Sequence, residues 1–258
     1  MKLTVIGSGD AFCSGGALHS CNLLEHAGGT VMLECGPGVL AGMKRMGIPT
    51  DAPDALLISH LHGDHFGGIP FLFLEYLFEN PRERPLTIVG PPTILERSFA
   101  VYAALYRELQ TFDLPFEIHL VELEPGSRTT VAGFEVEAFR VKHNAEPFSL
   151  GYRIVSPEAT MLFSGDSAWN EDFVAKSQGT DLFLCECCTM EPTVPMHTSY
   201  TELLANRDRL GCKRLLLTHL GADVRAAADF RFERVEDGMV YEVGGTSSVR
   251  KERSSASR

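Results

Sequence analysis

Hydrophobic positions recur along this chain in two periods. Short runs such as "KLTVIG", "TVMLEC", "ALLISH", "LTIVG", "FEIHLVEL", "FEVEAFRV", "LGYRIV", "TMLFSGD", "LFLCEC" and "RLLLTHL" either alternate or are apolar throughout. Alternation predicts strands with one covered face, and continuous apolar runs predict strands buried on both faces. Helical spacing intervenes in "VLAGMKRMG", which ends at a Gly, and in "TILERSFAVYAALYREL", which follows a Pro-Pro pair. "SYTELLANRDRLG" opens with Ser199-x-x-Glu202, a capping box, and stops at Gly211. Strands interleaved with helices predict a layered α/β domain. With no usable internal repeat and no linker before the end, one domain is expected over 1–244. Residues 245–258 form a polar tail with no core-forming pattern, expected to be mobile.

Composition narrows the picture. A chain of 258 residues with 44% hydrophobic content is enough for one large domain with a substantial core. No apolar run approaches the ~20 residues needed to span a bilayer. The start, "MKLTVIGSGD", lacks the longer apolar stretch of a signal peptide. The expectation is a cytoplasmic protein. Of the net charge of −11, the tail contributes +3, which leaves 1–244 at −14. Nucleic-acid binding leaves a basic footprint, so RNA is disfavoured as a partner. Seven Cys (13, 21, 35, 185, 187, 188 and 212) with no Cys-x-x-Cys pair argue against a disulfide framework. Cys185 and Cys187 share a strand face and read as small buried hydrophobes.

Candidate chemistry concentrates in "LISHLHGDHFGG", where His60, His62, Asp64 and His65 occupy six positions. A buried unpaired Asp is costly and a neutral His is a poor core filler. Imidazole and carboxylate together suit Zn²⁺ and similar cations. Further candidates fall where strands give way to loops: His143 after "FEVEAFRVK", Asp166 ending "TMLFSGD" and His219 ending "RLLLTH". Such edges are where open α/β sheets bind ligands. His197 lies in "EPTVPMHTS", just before the capped helix.

His-x-His-x-Asp-His, then a His, then "SGDS", then "THL", resembles the ordered signature of the metallo-β-lactamase superfamily. "GSGDAF" and "LECGPG" resemble its first hairpin. The resemblance covers residues 1 to about 243 and implies a four-layer αββα sandwich, two mixed β-sheets flanked by helices. It implies two divalent metal ions, Zn with Mn or Fe as alternatives. His60, His62 and His143 would hold one, Asp64, His65 and His219 the other, and Asp166 would bridge them. A hydroxide between two such metals is a hydrolytic nucleophile. The family usually has Asp where this chain has Glu34, which leaves a bond from that position to a ligand histidine open.

"HTS" after "CECC" resembles the ribonuclease Z branch and its small-molecule phosphodiesterase relatives. His197 beside Glu186 would then form a proton-donating pair, giving Asp64, His197 and Glu186 as the catalytic set. The helix starting at Tyr200 would offer its amides to a phosphate. His143 and Asp166 are only 23 positions apart, too few for the arm with which transfer-RNA processing enzymes of that branch grip RNA. A small cyclic or linear phosphodiester is therefore the expected substrate. Carbon-ester hydrolysis (lactonase or thioesterase), ribonuclease Z-type cleavage of RNA and a non-catalytic metal-binding sensor stay open. So does an oligomer. Cys13, His19 and Cys21 offer an incomplete version of the extra zinc site of phosphoribosyl cyclic phosphate hydrolases. "FLFLEYLFENPRERP" reads either as a core-facing helix or as a substrate wall with Arg82 or Arg84 at the rim.

Overall fold

A computed structural model describes residues 1–109 and 113–244, and the backbone of 252–253. One sheet is built from β1 (Lys2–Gly7), β2 (Cys21–His26), β3 (Gly29–Leu33), β4 (Ala55–Leu57), β5 (Leu86–Gly90), β6 (Ile118–Glu122), β14 (Met239–Glu242) and β15 (Glu252–Arg253). Its spatial order is β15-β14-β1-β2-β3-β4-β5-β6. The other contains β7 (Arg128–Val131), β8 (Phe134–Arg140), β9 (Leu150–Val155), β10 (Thr160–Phe163), β11 (Leu182–Glu186), β12 (Arg214–Thr218) and β13 (Glu233–Arg234), in the order β13-β12-β11-β10-β9-β8-β7. Both sheets are mixed. β3 to β6 run parallel, as do β10 to β13, and the remaining pairs are antiparallel.

The period of two in the strands creates the layers. In β4, Leu57 points between the sheets while Leu56 points to the helices; in β11, Leu184 and Phe183 divide the same way. The inter-sheet core joins Leu3, Val5, Leu57 and Val89 to Ile154, Phe163, Leu184 and Leu216. Leu56 and Ile88 pack under α1 (Val39–Met46), α3 (Ile69–Phe78) and α4 (Ile94–Leu105) through Met43, Phe73 and Tyr102. Phe183 and Leu217 pack under α5 (Asp172–Lys176), α6 (Tyr200–Asn206) and α7 (Ala222–Ala226) through Phe173, Leu203 and Val224. A short α2 (Gly63–Phe66) lies beyond the end of β4. Each such side chain, fully buried, is worth about 1.5–3 kcal/mol. The result is the αββα sandwich that the motif implied.

Several expectations change in detail. Ile69, Leu72, Phe73 and Tyr76 of α3 are fully buried, so the aromatic segment is a core-facing helix and not a substrate wall. Arg82 is buried beneath the Tyr76 ring at 5.3 Å and donates to the carbonyls of Asp51 (3.0 Å) and Pro85 (2.8 Å). Arg84 pairs with Asp54. Both arginines brace the start of β4, whereas His60 follows its other end, so neither lines the rim. Of the tail, only 252–253 are described, and they pair with β14; the expectation of a mobile tail otherwise lies outside the described residues. All seven cysteines are free, and Cys185 and Cys187 sit in the core under the helices of the second sheet. Among the described residues no helix is long and apolar enough to cross a membrane.

Candidate metal centre

The histidine-rich loop takes its shape from its two ends. β4 is three apolar residues fixed by parallel pairing to β3 and β5. At the far end, a Cβ on Gly68 would lie 2.3 Å from the Gly36 carbonyl oxygen and 2.7 Å from that of Cys35, so only Gly lets the loop close against the end of β3. Between them, His62 caps α2 in an extended conformation, and α2 carries Asp64 and His65 inward. The second sheet supplies the rest. Parallel register aligns Phe163 with Leu184 and Glu186 with Thr218. Asp166, Glu186 and His219 therefore emerge side by side, and His143 follows β8, two antiparallel steps beyond β10.

Seven side chains converge in two groups. His62 Nδ1 is 3.1 Å from His60 Nε2 and 3.0 Å from His143 Nε2. His65 Nε2 is 3.1 Å from Asp64 Oδ2 and 3.2 Å from Asp166 Oδ2, while His219 Nε2 is 3.4 and 3.2 Å from the same two oxygens. Ligands about 2.0–2.1 Å from a tetrahedral ion are roughly 3.3 Å apart, so both groups have the spacing of a metal's ligand shell. Asp166 faces both groups, since its carboxylate also clusters with His143 and His197.

The electrostatics fit a cation. Burial pulls His60 and His143 below the ordinary imidazole value, which keeps them neutral, as ligands must be. Burial opposes charge on His65 and His219 as well, but Asp166 and Asp64 outweigh it and hold both rings well above that value. Burial likewise opposes ionisation of Asp64 and Asp166, yet the facing rings hold both carboxyls well below their usual range. The buried Asp166 and the partly buried Asp64 thus call for positive charge beside them.

Outer contacts turn the rings. Ser59 Oγ meets His60 Nδ1 at 2.9 Å, and His143 Nδ1 donates to the Met196 carbonyl at 3.0 Å, which leaves each Nε2 facing inward. Glu34, in the left-handed region at φ 65°, accepts from the Ser59 amide at 3.0 Å, and its other oxygen lies 3.4 Å from His65 Nδ1 without hydrogen-bond alignment. The longer side chain thus reaches the ligand histidine imperfectly. Burial raises its carboxyl above the usual range. Cys188, which the sequence did not single out, brings its Sγ within 4.8 Å of the His197 and His219 nitrogens.

His197 Nδ1 lies 3.0 Å from Glu186 Oε2 and 4.0 Å from Asp166 Oδ2, and its ring stacks on His219 at 10°. Glu186 is fully buried and also accepts from the Ser167 amide. Burial lowers His197, but the Glu186 hydrogen bond and charge raise it further, so the ring sits above the ordinary value. The phosphate role expected of α6 does not hold. Ser199 and Glu202 cap each other, and the Tyr200 and Thr201 amides donate to Thr189 and Met190 carbonyls at 2.8 and 3.1 Å, so the first amides are already used. Near the N-terminus, Cys13 Sγ and His19 Nε2 touch at 3.2 Å, while Cys21 packs into the helix-side core and cannot join them.

Residues 1–238 match the family model described as anti-Pycsar protein Apyc1. The ribonuclease Z of Agathobacter rectalis is 28% identical over 80% of this chain and 83% of its own. Human tRNase Z, short form (ELAC1), superposes with a TM-score of 0.77 at 22% identity, covering 94% of this chain and 99% of that one. A diphosphatase from the PhnP family superposes at 0.72 with 18% identity, covering 97% and 99%. The metallo-beta-lactamase fold protein YhfI from Bacillus subtilis superposes at 0.73 with 24% identity, covering 93% and 99%, so the fold is the metallo-β-lactamase fold, shared with the ribonuclease Z-like proteins above.

Proposed function

The chain belongs to the anti-Pycsar protein Apyc1 family, and from that premise we propose that it is a dinuclear metal-dependent phosphodiesterase acting on a small cyclic or linear phosphodiester, such as a cyclic nucleotide or a cyclic sugar phosphate. The observation that carries the reading is the His197–Glu186 pair at 3.0 Å, set directly against the two ligand groups. His60, His62 and His143 would hold one divalent ion, Asp64, His65 and His219 the other, with Asp166 between them. When bound, such a pair of ions supplies Lewis-acid polarisation of a phosphoryl oxygen and an activated water at neutral pH.

The chain's own residues do the remaining work. Glu186 binds His197 through Nδ1, which leaves Nε2 to hand a proton to the departing alkoxide as the P–O bond breaks. Water contributes its hydroxyl to phosphorus and its second hydrogen restores the balance. A small substrate is supported by the 144–165 segment, which β9, β10 and their turns fill, and by the charge of −14 on 1–244. RNA binding draws much of its affinity from neutralising phosphates. The second reading, ribonuclease Z-type cleavage of RNA, is favoured by the relative of that name. Turnover of cyclic nucleotides, bis-p-nitrophenyl phosphate, precursor transfer RNA and a lactone panel by metal-loaded protein separates these readings. Preference for lactones would overturn the proposal.

A further inference from the structure

Each group of ligands draws on both sheets, so its geometry depends on how the sheets are held together at the mouth. His60 and His62 follow β4 of the first sheet, and His143 follows β8 of the second. Asp64 and His65 belong to the first-sheet loop, and His219 follows β12 of the second. Two arginines on separate helices span that gap. Arg97 of α4 donates from Nη2 to the carbonyl of Leu61 at 3.1 Å and from Nη1 to that of Glu146 at 3.3 Å. Leu61 lies between His60 and His62 and is anchored in the helix-side core. Glu146 belongs to the turn of His143, where the Ala145 amide donates to the His143 carbonyl at 3.2 Å. The Arg97 guanidinium also rests over Phe66, next to His65, at 5.4 Å.

Arg225 of α7 repeats the arrangement on the other side. Its Nε donates to the carbonyl of Leu220, the residue after His219, at 3.0 Å. Its Nη2 donates to the Ser8 carbonyl at 2.9 Å and the Ser8 hydroxyl at 3.0 Å, on the loop leaving β1 of the first sheet. Arg225 thus also ties one loop from each sheet, with His219 beside its second-sheet contact, whereas its first-sheet contact, Ser8, follows β1 and adjoins no candidate ligand.

We propose that Arg97 and Arg225 are positioning residues, each fixing the ligand set of one metal, with Arg97 serving the His60–His62–His143 group and Arg225 the Asp64–His65–His219 group. Charge and geometry pull in opposite directions here, which makes the claim testable. Removing a cation near a metal site should, by Coulomb's law alone, tighten metal binding. Loosening the ligand set should weaken it, by about 10–100-fold for an outer partner of a ligand. Lys keeps the charge but cannot bridge two carbonyls as a planar fork does.

The experiment reads metal, not turnover, so it stands apart from the choice of substrate. Cobalt-loaded His219→Ala and His62→Ala proteins, each retaining one intact group, are titrated with a competing chelator and monitored by the cobalt absorption. Adding Arg97→Gln or Arg97→Lys should weaken cobalt in the His219→Ala background at least tenfold and leave the His62→Ala background unchanged. Arg225→Gln or Arg225→Lys should do the reverse, and thermal unfolding of the metal-free proteins reports any general loss of fold. Wild-type-like affinity with Lys, tighter binding with Gln, or equal weakening of both groups by either arginine would overturn the proposal.

Discussion

Replacing His197 with Ala should cost far more on a substrate with a poor leaving group than on one with a good one. The Glu186 carboxyl, buried and 3.0 Å from Nδ1, holds the ring above the ordinary imidazole value, which favours the protonated form that a proton donor needs. Proton donation of this kind is worth about 10²–10⁴-fold, or about 3–5 kcal/mol at 1.36 kcal/mol per factor of ten. A ribose alkoxide needs that proton, whereas p-nitrophenolate departs as a stabilised anion. Steady-state rates of His197→Ala on a cyclic nucleotide should fall by most of that factor, and those on bis-p-nitrophenyl phosphate by about tenfold or less. Metal per chain should stay at the wild-type value. Glu186→Gln adds a second test. The carboxylate raises the His197 value, so its loss lowers it, and the alkaline limb of kcat on the cyclic nucleotide moves to lower pH. An equal loss on both substrates with metal intact would refute proton donation and leave a positioning role. Loss of metal would make His197 a ligand, in line with its nearness to Asp166 and His143.

Asp166→Ala removes the carboxylate that both groups face, and elemental analysis should find its metal content below the two per chain expected of wild type, with hydrolysis abolished; full content with activity would refute the assignment. Precursor transfer RNA at physiological salt should turn over far more slowly than a cyclic nucleotide, and efficient, accurate 3′ cleavage would reverse that order. Away from the site, the Lys176 hydrogen bond at 2.6 Å holds Glu137 below the usual carboxylate value. That contribution is present above the unfolded value near 4.5 and is lost as pH falls through the folded value. Lys176→Met should therefore lower unfolding stability by about 0.5–1 kcal/mol at pH 7 and by less at pH 3, as read from urea midpoints.

The chemistry of this chain is legible where it is local. His60, His62, Asp64 and His65 share one loop, and a metal is the one economical reason to crowd them. The parallel core strands β4, β5, β11 and β12 show as apolar runs because both their faces are covered. β7, with only Val131 buried, and the two-residue β13 carry no such signal; their pairing comes from neighbours already in place. The capping box of α6 was visible as Ser199 and Glu202, but that the same residues and the Thr189 bridge consume the helix's amides was not. Arg82 and Arg84 misled for a related reason. A charged pair after an aromatic run reads as a surface rim, and only the fold shows that the pair braces the opposite end of β4.

What the sequence hides are the backbone partners. His143 is turned by a Met196 carbonyl 53 residues away, and Arg97 and Arg225 grip carbonyls whose identity no side-chain pattern encodes. Any residue can offer a carbonyl, so such contacts leave their mark only on the donor. That asymmetry explains the division in this protein. Ligands must be His or Asp because the metal's chemistry demands those atoms, and they form a motif. The groups that hold the ligands in place need only a donor on one side and a backbone on the other, so they surface as ordinary arginines on ordinary helices. The two sheets must still be held in a fixed relation for His62 and His143, drawn from different sheets, to bring their nitrogens to 3.0 Å. Helices α4 and α7, which supply Arg97 and Arg225, are therefore part of the site although neither contributes a ligand.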